Sequence, residues 1–164
     1  MYVNLINDNK MYPNAFNYED AQALGSASIY NYIPFVELLC EKTMFMNNLV
    51  GEKLLPTYSY GRIYKTGAAL GKHLDRESCE ISVTINLGSK GGSWPIWFTK
   101  PDGTVISYDL SPGQAVVYLG CISEHWRDSL SGDDYGQFFL HYVRGRGPHA
   151  CHAFDAVRLN RGNN

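Results

Sequence analysis

At 164 residues, with 45% hydrophobic and 18% charged side chains, the chain is long enough for one domain with a buried core and too apolar for a disordered segment. A net charge of -2 and a pI near 6.2 leave no basic footprint for nucleic acid or an anionic membrane, and no apolar run approaches the roughly 20 residues of a membrane span. Twelve tyrosines and sixteen glycines favour half-buried strands joined by turns.

The start, MYVNLINDNKMYPN, has neither the basic nor the apolar region of a signal peptide, and YVNLI reads as a short edge strand. A weak helix is predicted over residues 15–24. A stronger one covers 34–50, where Phe35, Leu38, Leu39, Phe45, Met46 and Leu49 share a stripe and Pro34 stands at the start. From residue 56 the signals become strands and turns. In TYSYGRIYK, Tyr58, Tyr60, Arg62 and Tyr64 fall on one face, and in CEISVTINLG the residues Ile81, Val83, Ile85 and Leu87 oppose Ser82, Thr84 and Asn86. WPIWFT, VISYDL, AVVYLG and GQFFLHYV follow, separated by GSKGGS, PDGT and SPGQ turns.

The expected fold is mainly β with α additions: an antiparallel barrel or sandwich with a helix on one outer face. The whole chain reads as one domain, with a mixed segment over 1–55, a β core over 56–145 and a tail over 146–164. Cys40, Cys79, Cys121 and Cys151 form no C-x-x-C pair, and reduced cysteines in a cytoplasmic protein are the simpler reading.

Among the polar residues, His73 and Asp75 stand out. Spaced i and i+2 on extended chain, they point to one side, and a strand beginning at HLD would aim both into the barrel mouth. A third ligand must come from elsewhere: His125, His141, His149 and His152 are available. His125 is favoured because it follows an apolar strand, about fifty residues later. Two histidines and a carboxylate on one face of a metal suit non-haem iron. On spacing alone, a second reading stands beside it: His73 and Asp75 as exposed loop residues, and His125 bonded to Glu124. Arg62 between Tyr60 and Tyr64 adds weight to the metal reading. An arginine aimed into a barrel needs an anion, and a dicarboxylate with tyrosine hydroxyls around it would serve. Arg127, two residues after His125, presents the same choice. Trp94, Trp97 and Trp126 read as barrel core or rim. His149, Cys151 and His152 lack a nearby fourth metal ligand and are read as tail.

The run Y-x-x-G-x-x-L-x-x-H-x-D (Tyr64 to Asp75), then PGQAVVY, then EHWR, resembles the Fe(II)/2-oxoglutarate-dependent dioxygenases, and within them the prolyl 4-hydroxylase-like group. The likeness extends over roughly residues 57–143. It implies a double-stranded β-helix of the jelly-roll or cupin-like kind, with an N-terminal helix packed outside. It also implies an iron triad of His73, Asp75 and His125, and a 2-oxoglutarate contact from Tyr64. The implied activity is hydroxylation of an amino-acid or peptidyl substrate, with 2-oxoglutarate and O2 converted to succinate and CO2 and ascorbate in support. Small-molecule or peptide partners follow, and no nucleic acid or membrane; the oligomeric state stays open. One departure matters. The family usually carries Arg or Lys about ten residues after the second histidine, where this chain has SGDDYGQFF. Arg62, flanked by Tyr60, is the first replacement considered and Arg127 the second. The alternatives are a cupin-like metal enzyme with another cosubstrate and a non-catalytic binding module on the same barrel.

Overall fold

The computed structural model describes residues 1–23 and 25–155; of the tail read over 146–164, residues 156–164 lie outside the described residues. In chain order the elements are α1 (Tyr2–Met11), β1 (Ala27–Tyr30), α2 (Ile33–Val50), β2 (Leu54–Lys65), β3 (Leu70–His73), β4 (Ile81–Lys90), β5 (Ile96–Thr99), β6 (Val105–Tyr108), β7 (Ala115–Tyr118), β8 (His125–Arg127) and β9 (Asp134–Arg144). Short 3-10 turns cover Pro13–Ala15, Glu77–Cys79 and Ala150–Asp155.

The strands form two antiparallel sheets, one ordered β1-β2-β9-β4-β7 and the other β3-β8-β5-β6. Their strand order and pairing are those of a double-stranded β-helix, mainly β with helices outside.

The large sheet has an oily outer face and a polar inner one, and the alternation of its strands sets this up. Outward, Ile81, Val83, Ile63, Phe138 and Leu140 are buried in one cluster with Leu5 of α1 and Phe35, Leu39 and Met46 of α2. Phe35 and Phe138 stack with centroids 4.6 Å apart. Gly61 makes this approach possible, since a Cβ there would sit 2.7 Å from Phe35 Cε2. The fully buried Phe35 alone contributes about 2–3 kcal/mol of transfer free energy. Pro34 lies in the first turn of α2, and Gly51 ends it in the left-handed region at φ 81°, its N–H bonding Asn47 O at 2.9 Å.

Two expectations for the N-terminal segment fail. YVNLI is the start of α1, not an edge strand. Tyr2, Leu5 and Ile6 turn inward at helical spacing while Val3 is 64% exposed, so the period in use is 3.6 rather than 2. The Tyr2 ring fills a slot left by glycines on two central strands; a Cβ at Gly136 would lie 2.5 Å from it, and one at Gly88 3.0 Å. Its hydroxyl donates to Asp134. The described part of the helix expected over 15–24, residues 15–23, forms no α-helix either. Asn17 and Asp20 accept backbone N–H groups two residues on, at 2.9 Å each, and such local bonds compete with the helical ladder. Asn17 instead pairs with Ser28, along the outer side of β1.

Among the described residues no helix is long and apolar enough to cross a membrane.

Candidate metal centre

The HLD segment ends a strand rather than beginning one. β3 stops at His73, which stands directly opposite His125 of β8 in the register of the small sheet. The two imidazoles lie 4.3 Å apart, centroid to centroid. Asp75 follows just beyond the strand, where its N–H donates to Gly120 O at 2.9 Å, while Leu74 between them turns outward. Asp75 Oδ1 is 3.8 Å from His73 Nε2 and 3.6 Å from His125 Nε2.

The tautomers follow from the neighbours. His73 Nδ1 lies 2.8 Å from Gly71 O, and His125 Nδ1 lies 2.8 Å from Ser123 O. A carbonyl oxygen only accepts, so both Nδ1 atoms carry the proton and both Nε2 lone pairs face Asp75. Burial, opposed by the Asp75 charge, pushes the His125 pKa below its ordinary value and favours the neutral ring. Two imidazoles and a carboxylate, with one donor atom of each within 4.8 Å of the others, could hold a divalent metal.

Behind this trio is a supporting layer that sequence reasoning did not reach. Ser82 Oγ is 3.0 Å from Asp75 Oδ2, from Cys79 O and from His141 Nδ1. Carboxylate and carbonyl can only accept, so His141 Nδ1–H donates to Ser82, and the Ser82 hydroxyl turns to Asp75 or the carbonyl. Such partners orient ligands and tune them. His141 thus serves behind the trio; with Cys79 and Asp75 it forms an overlapping group of donor atoms. Gly120 closes the layer from above. A Cβ there would overlap the Cys79 carbonyl oxygen and lie 2.6 Å from Asp75 Oδ2.

The trio opens into a cavity of about 520 Å³ that runs past Tyr58, Tyr60, Phe139 and Arg62. The two arginines considered from the sequence both point into the barrel, and their surroundings differ sharply. The charge of Arg62 is already paired: its guanidinium meets Asp20 and donates to Tyr60 Oη at 3.0 Å, leaving Nε without a partner. Burial works against its charge, but Tyr64, Tyr60 and Asp20 outweigh burial and hold its pKa above the ordinary arginine value. Asp20 belongs to the segment expected to be helical, and nothing in its local sequence points to this role.

Arg127 is 2% exposed, and among the described residues no carboxylate pairs with it. One nitrogen donates to Trp94 O, while Nε and Nη2 have no hydrogen-bond partner of good geometry. Its Cζ lies 4.6 Å from the Trp94 ring and 5.1 Å from the Tyr135 ring. Burial lowers its pKa, with tyrosine hydroxyls in partial compensation. The hydroxyls of Tyr64 and Tyr135, paired residues on β2 and β9, are likewise buried without a partner. A cation, two hydroxyls and no anion are therefore gathered at the deep end of the barrel. Trp94 is core, as expected, whereas Trp97 and Trp126 stack 6.2 Å apart on the opposite face of the small sheet from His125.

No family model matches this chain, and no curated protein matches it by sequence. Solved structures do. It is similar to a 2OG-Fe(II) oxygenase family oxidoreductase from Burkholderia pseudomallei, at 15% identity and TM-score 0.65. That match covers 73% of this chain and 66% of the other, just under two thirds of its length. A prolyl-4-hydroxylase from Pseudomonas putida superposes at TM-score 0.64 and 15% identity, over 88% of this chain and 85% of that one. A prolyl hydroxylase from Trichoplax adhaerens, in complex with a hypoxia inducible factor peptide fragment, gives TM-score 0.65 at 11% identity, over 87% and 77%. The shared property is the fold.

Proposed function

We infer that this protein is an Fe(II)- and 2-oxoglutarate-dependent oxygenase that hydroxylates an amino-acid or peptidyl substrate. The observation that carries this reading is the pairing of two features in one barrel. His73, Asp75 and His125 turn three donor atoms to one point at the mouth, and Arg127 with Tyr64 and Tyr135 offers an unanswered positive site at the depth. The orphaned guanidinium and hydroxyl groups fit a carboxylate, which would accept the bonds that none of their protein neighbours takes.

In this reading His73, Asp75 and His125 hold the iron, and Arg127, Tyr64 and Tyr135 hold the distal carboxylate of 2-oxoglutarate. Bound together with dioxygen, iron and 2-oxoglutarate would supply the oxidising power for the hydroxylation, with succinate and CO2 as the other products. The protein's own share is placement. Carbonyl bonds at both Nδ1 atoms keep the imidazole lone pairs forward, and Ser82 fixes the outer carboxylate oxygen of Asp75. Arg62, neutralised by Asp20, stays with Tyr60 on the wall of the open cavity, where substrate enters. The peptide in the Trichoplax complex supports a substrate of that class, and four cysteines with no disulfide among the described residues fit a cytoplasmic protein.

The test is succinate formation from 2-oxoglutarate with Fe(II), ascorbate and air, with and without a panel of peptides and amino acids. Turnover that vanishes in His73→Ala and Asp75→Ala is the expected result. Metal binding without any 2-oxoglutarate binding would instead favour a cupin-like enzyme with another cosubstrate, and no metal binding a non-catalytic module.

A further inference from the structure

A second histidine–carboxylate cluster lies outside the barrel. His152 N–H donates to His149 O at 3.0 Å, which curls the chain after β9 into a 3-10 turn. With three residues per turn, side chains at i and i+3 eclipse, so both imidazoles face the same way, 6.4 Å apart. Opposite them stands Glu77, on the turn that follows Asp75, with Oε2 3.0 Å from His152 Nε2. One donor atom from each of Glu77, His149 and His152 lies within 4.8 Å of the others. Cys151, which the sequence groups with the two histidines, is exposed and is not among the three.

A plain ion pair accounts for Glu77 and His152. It does not account for His149, whose imidazole has no hydrogen-bond partner among the described residues and yet turns into the same space. We propose that Glu77, His149 and His152 form a second divalent-cation site of zinc type, with water as the fourth ligand. Imidazole and carboxylate donors suit Zn(II), which binds them at about 2.0–2.2 Å in a tetrahedron. That geometry separates neighbouring donors by about 3.4 Å, so the widest gap closes by no more than about 1.4 Å. Glu77, 67% exposed, is free to rotate by that amount. The site joins the C-terminal turn to the segment carrying Asp75. The same turn inserts Asp155 against Arg76, at 3.2 Å, and against Tyr30, both at the cavity mouth. A bound ion would therefore pin the turn that flanks the entrance.

Zn(II) binding by tag-free, metal-stripped protein tests this, read by equilibrium dialysis and elemental analysis. Asp75→Ala and His73→Ala are each expected to keep one tight equivalent, lost on adding His149→Ala or His152→Ala. In the Asp75→Ala protein, zinc at a hundredfold excess over its Kd should raise Tm by roughly 5–10 °C, and the rise should vanish with His152→Ala. Glu77 is exposed and the two histidines are half-buried, so an unchanged Tm of the variants in the absence of zinc is the check that folding is intact. Retention of zinc by the Asp75→Ala/His149→Ala and Asp75→Ala/His152→Ala proteins would overturn the proposal, as would a complete loss in Asp75→Ala with its fold intact. If wild type binds one equivalent that His149→Ala and His152→Ala each remove while Asp75→Ala does not, this site stands and the barrel iron site fails.

Discussion

Replacing Arg127 by methionine separates cosubstrate binding from folding, because the same buried charge acts on the two in opposite directions. On the proposed reading, 2-oxoglutarate would bring an anionic acceptor to Nε, Nη2 and the two tyrosine hydroxyls, which have no hydrogen-bond partner without it. Truncating one side of a buried, hydrogen-bonded charge pair costs about 2–5 kcal/mol, so a value of about 3 kcal/mol weakens 2-oxoglutarate about 100-fold. Without 2-oxoglutarate, the substitution removes a charge that is 2% exposed and unpaired by any described carboxylate, at the loss of one bond to Trp94 O and two ring contacts. Those losses amount to roughly 2–4 kcal/mol, against a several-kcal/mol penalty for the bare ion, and methionine fills most of the volume. Stability of the metal-free, cosubstrate-free protein should therefore change by no more than about 1 kcal/mol. Arg62→Met should behave in the opposite way. It strands Asp20, which is 23% exposed and so partly hydrated, lowers stability by about 1–2 kcal/mol, and shifts 2-oxoglutarate affinity less than about fivefold. Calorimetric titration of 2-oxoglutarate into Ni(II)-loaded protein without oxygen, with urea unfolding alongside, measures both quantities. If Arg127→Met binds within threefold of wild type while Arg62→Met loses about two orders of magnitude, Arg62 holds the carboxylate and the assignment made from orphaned groups is wrong.

Gly120→Ala should disable the metal centre from behind. Its Cβ meets a backbone carbonyl that cannot swing aside, and costs about 1–3 kcal/mol or more. A Tm lower by roughly 3–10 °C and Ni(II) affinity down at least about tenfold are expected; unchanged affinity would mean that Asp75 does not depend on this packing. His141 gives the pH dependence. Burial pushes its pKa down to about 4, so the folded protein keeps the ring neutral while the unfolded chain takes a proton near its ordinary value of about 6.5. Its contribution is complete above about pH 6.5 and is lost as pH falls toward about 4, by about 2 kcal/mol between pH 7.5 and pH 5. Urea unfolding of the metal-free protein at the two pH values, compared with His141→Phe, reads this out; an equal loss in the variant would remove His141 as the cause.

The barrel strands are legible in the sequence because their alternation is strict and each side of it has one job. Ile81, Val83 and Phe138 meet helices, and Ser82, Thr84 and Gln137 meet the interior, so a register slip would exchange oil for polar groups along the whole strand. α2 is legible from its proline and from Phe35, Leu39 and Met46 of its stripe, which are buried, whereas Phe45 and Leu49 of the same stripe are exposed. α1 is not, because in five residues a period of 2 and one of 3.6 cannot be told apart, and what decides between them is the slot opened by Gly88 and Gly136 more than eighty residues away. The same limit governs the polar residues. His73 and Asp75 are two residues apart in sequence and announce themselves, while Ser82, Gly120 and Asp20 act by meeting a distant partner. Glu77 completes a cluster with His149 and His152 that local spacing had left one ligand short.

The order of the two arginines turns on such a partner. From alternation alone Arg62 and Arg127 are equivalent, each an inward cation near tyrosines. Asp20 breaks the tie, since a guanidinium already paired has little left to offer a carboxylate. The usual cation of prolyl-hydroxylase-like barrels, about ten residues after the second histidine, falls here at Tyr135 on β9. Tyr135 is not an empty substitution. Its ring lies 5.1 Å from Arg127 Cζ, and its register on β9 sets it opposite Tyr64 of β2. On the proposed reading Arg127 supplies the charge from β8 in the facing sheet instead, with the Tyr135 ring of β9 beside it. What a dicarboxylate needs is a charge at one point in space, with donors around it, and the antiparallel register of two facing sheets allows either strand to deliver it. Asp20 is then the necessary counterpart: with it in place, a barrel carrying two inward arginines presents one free charge at its depth rather than two that repel.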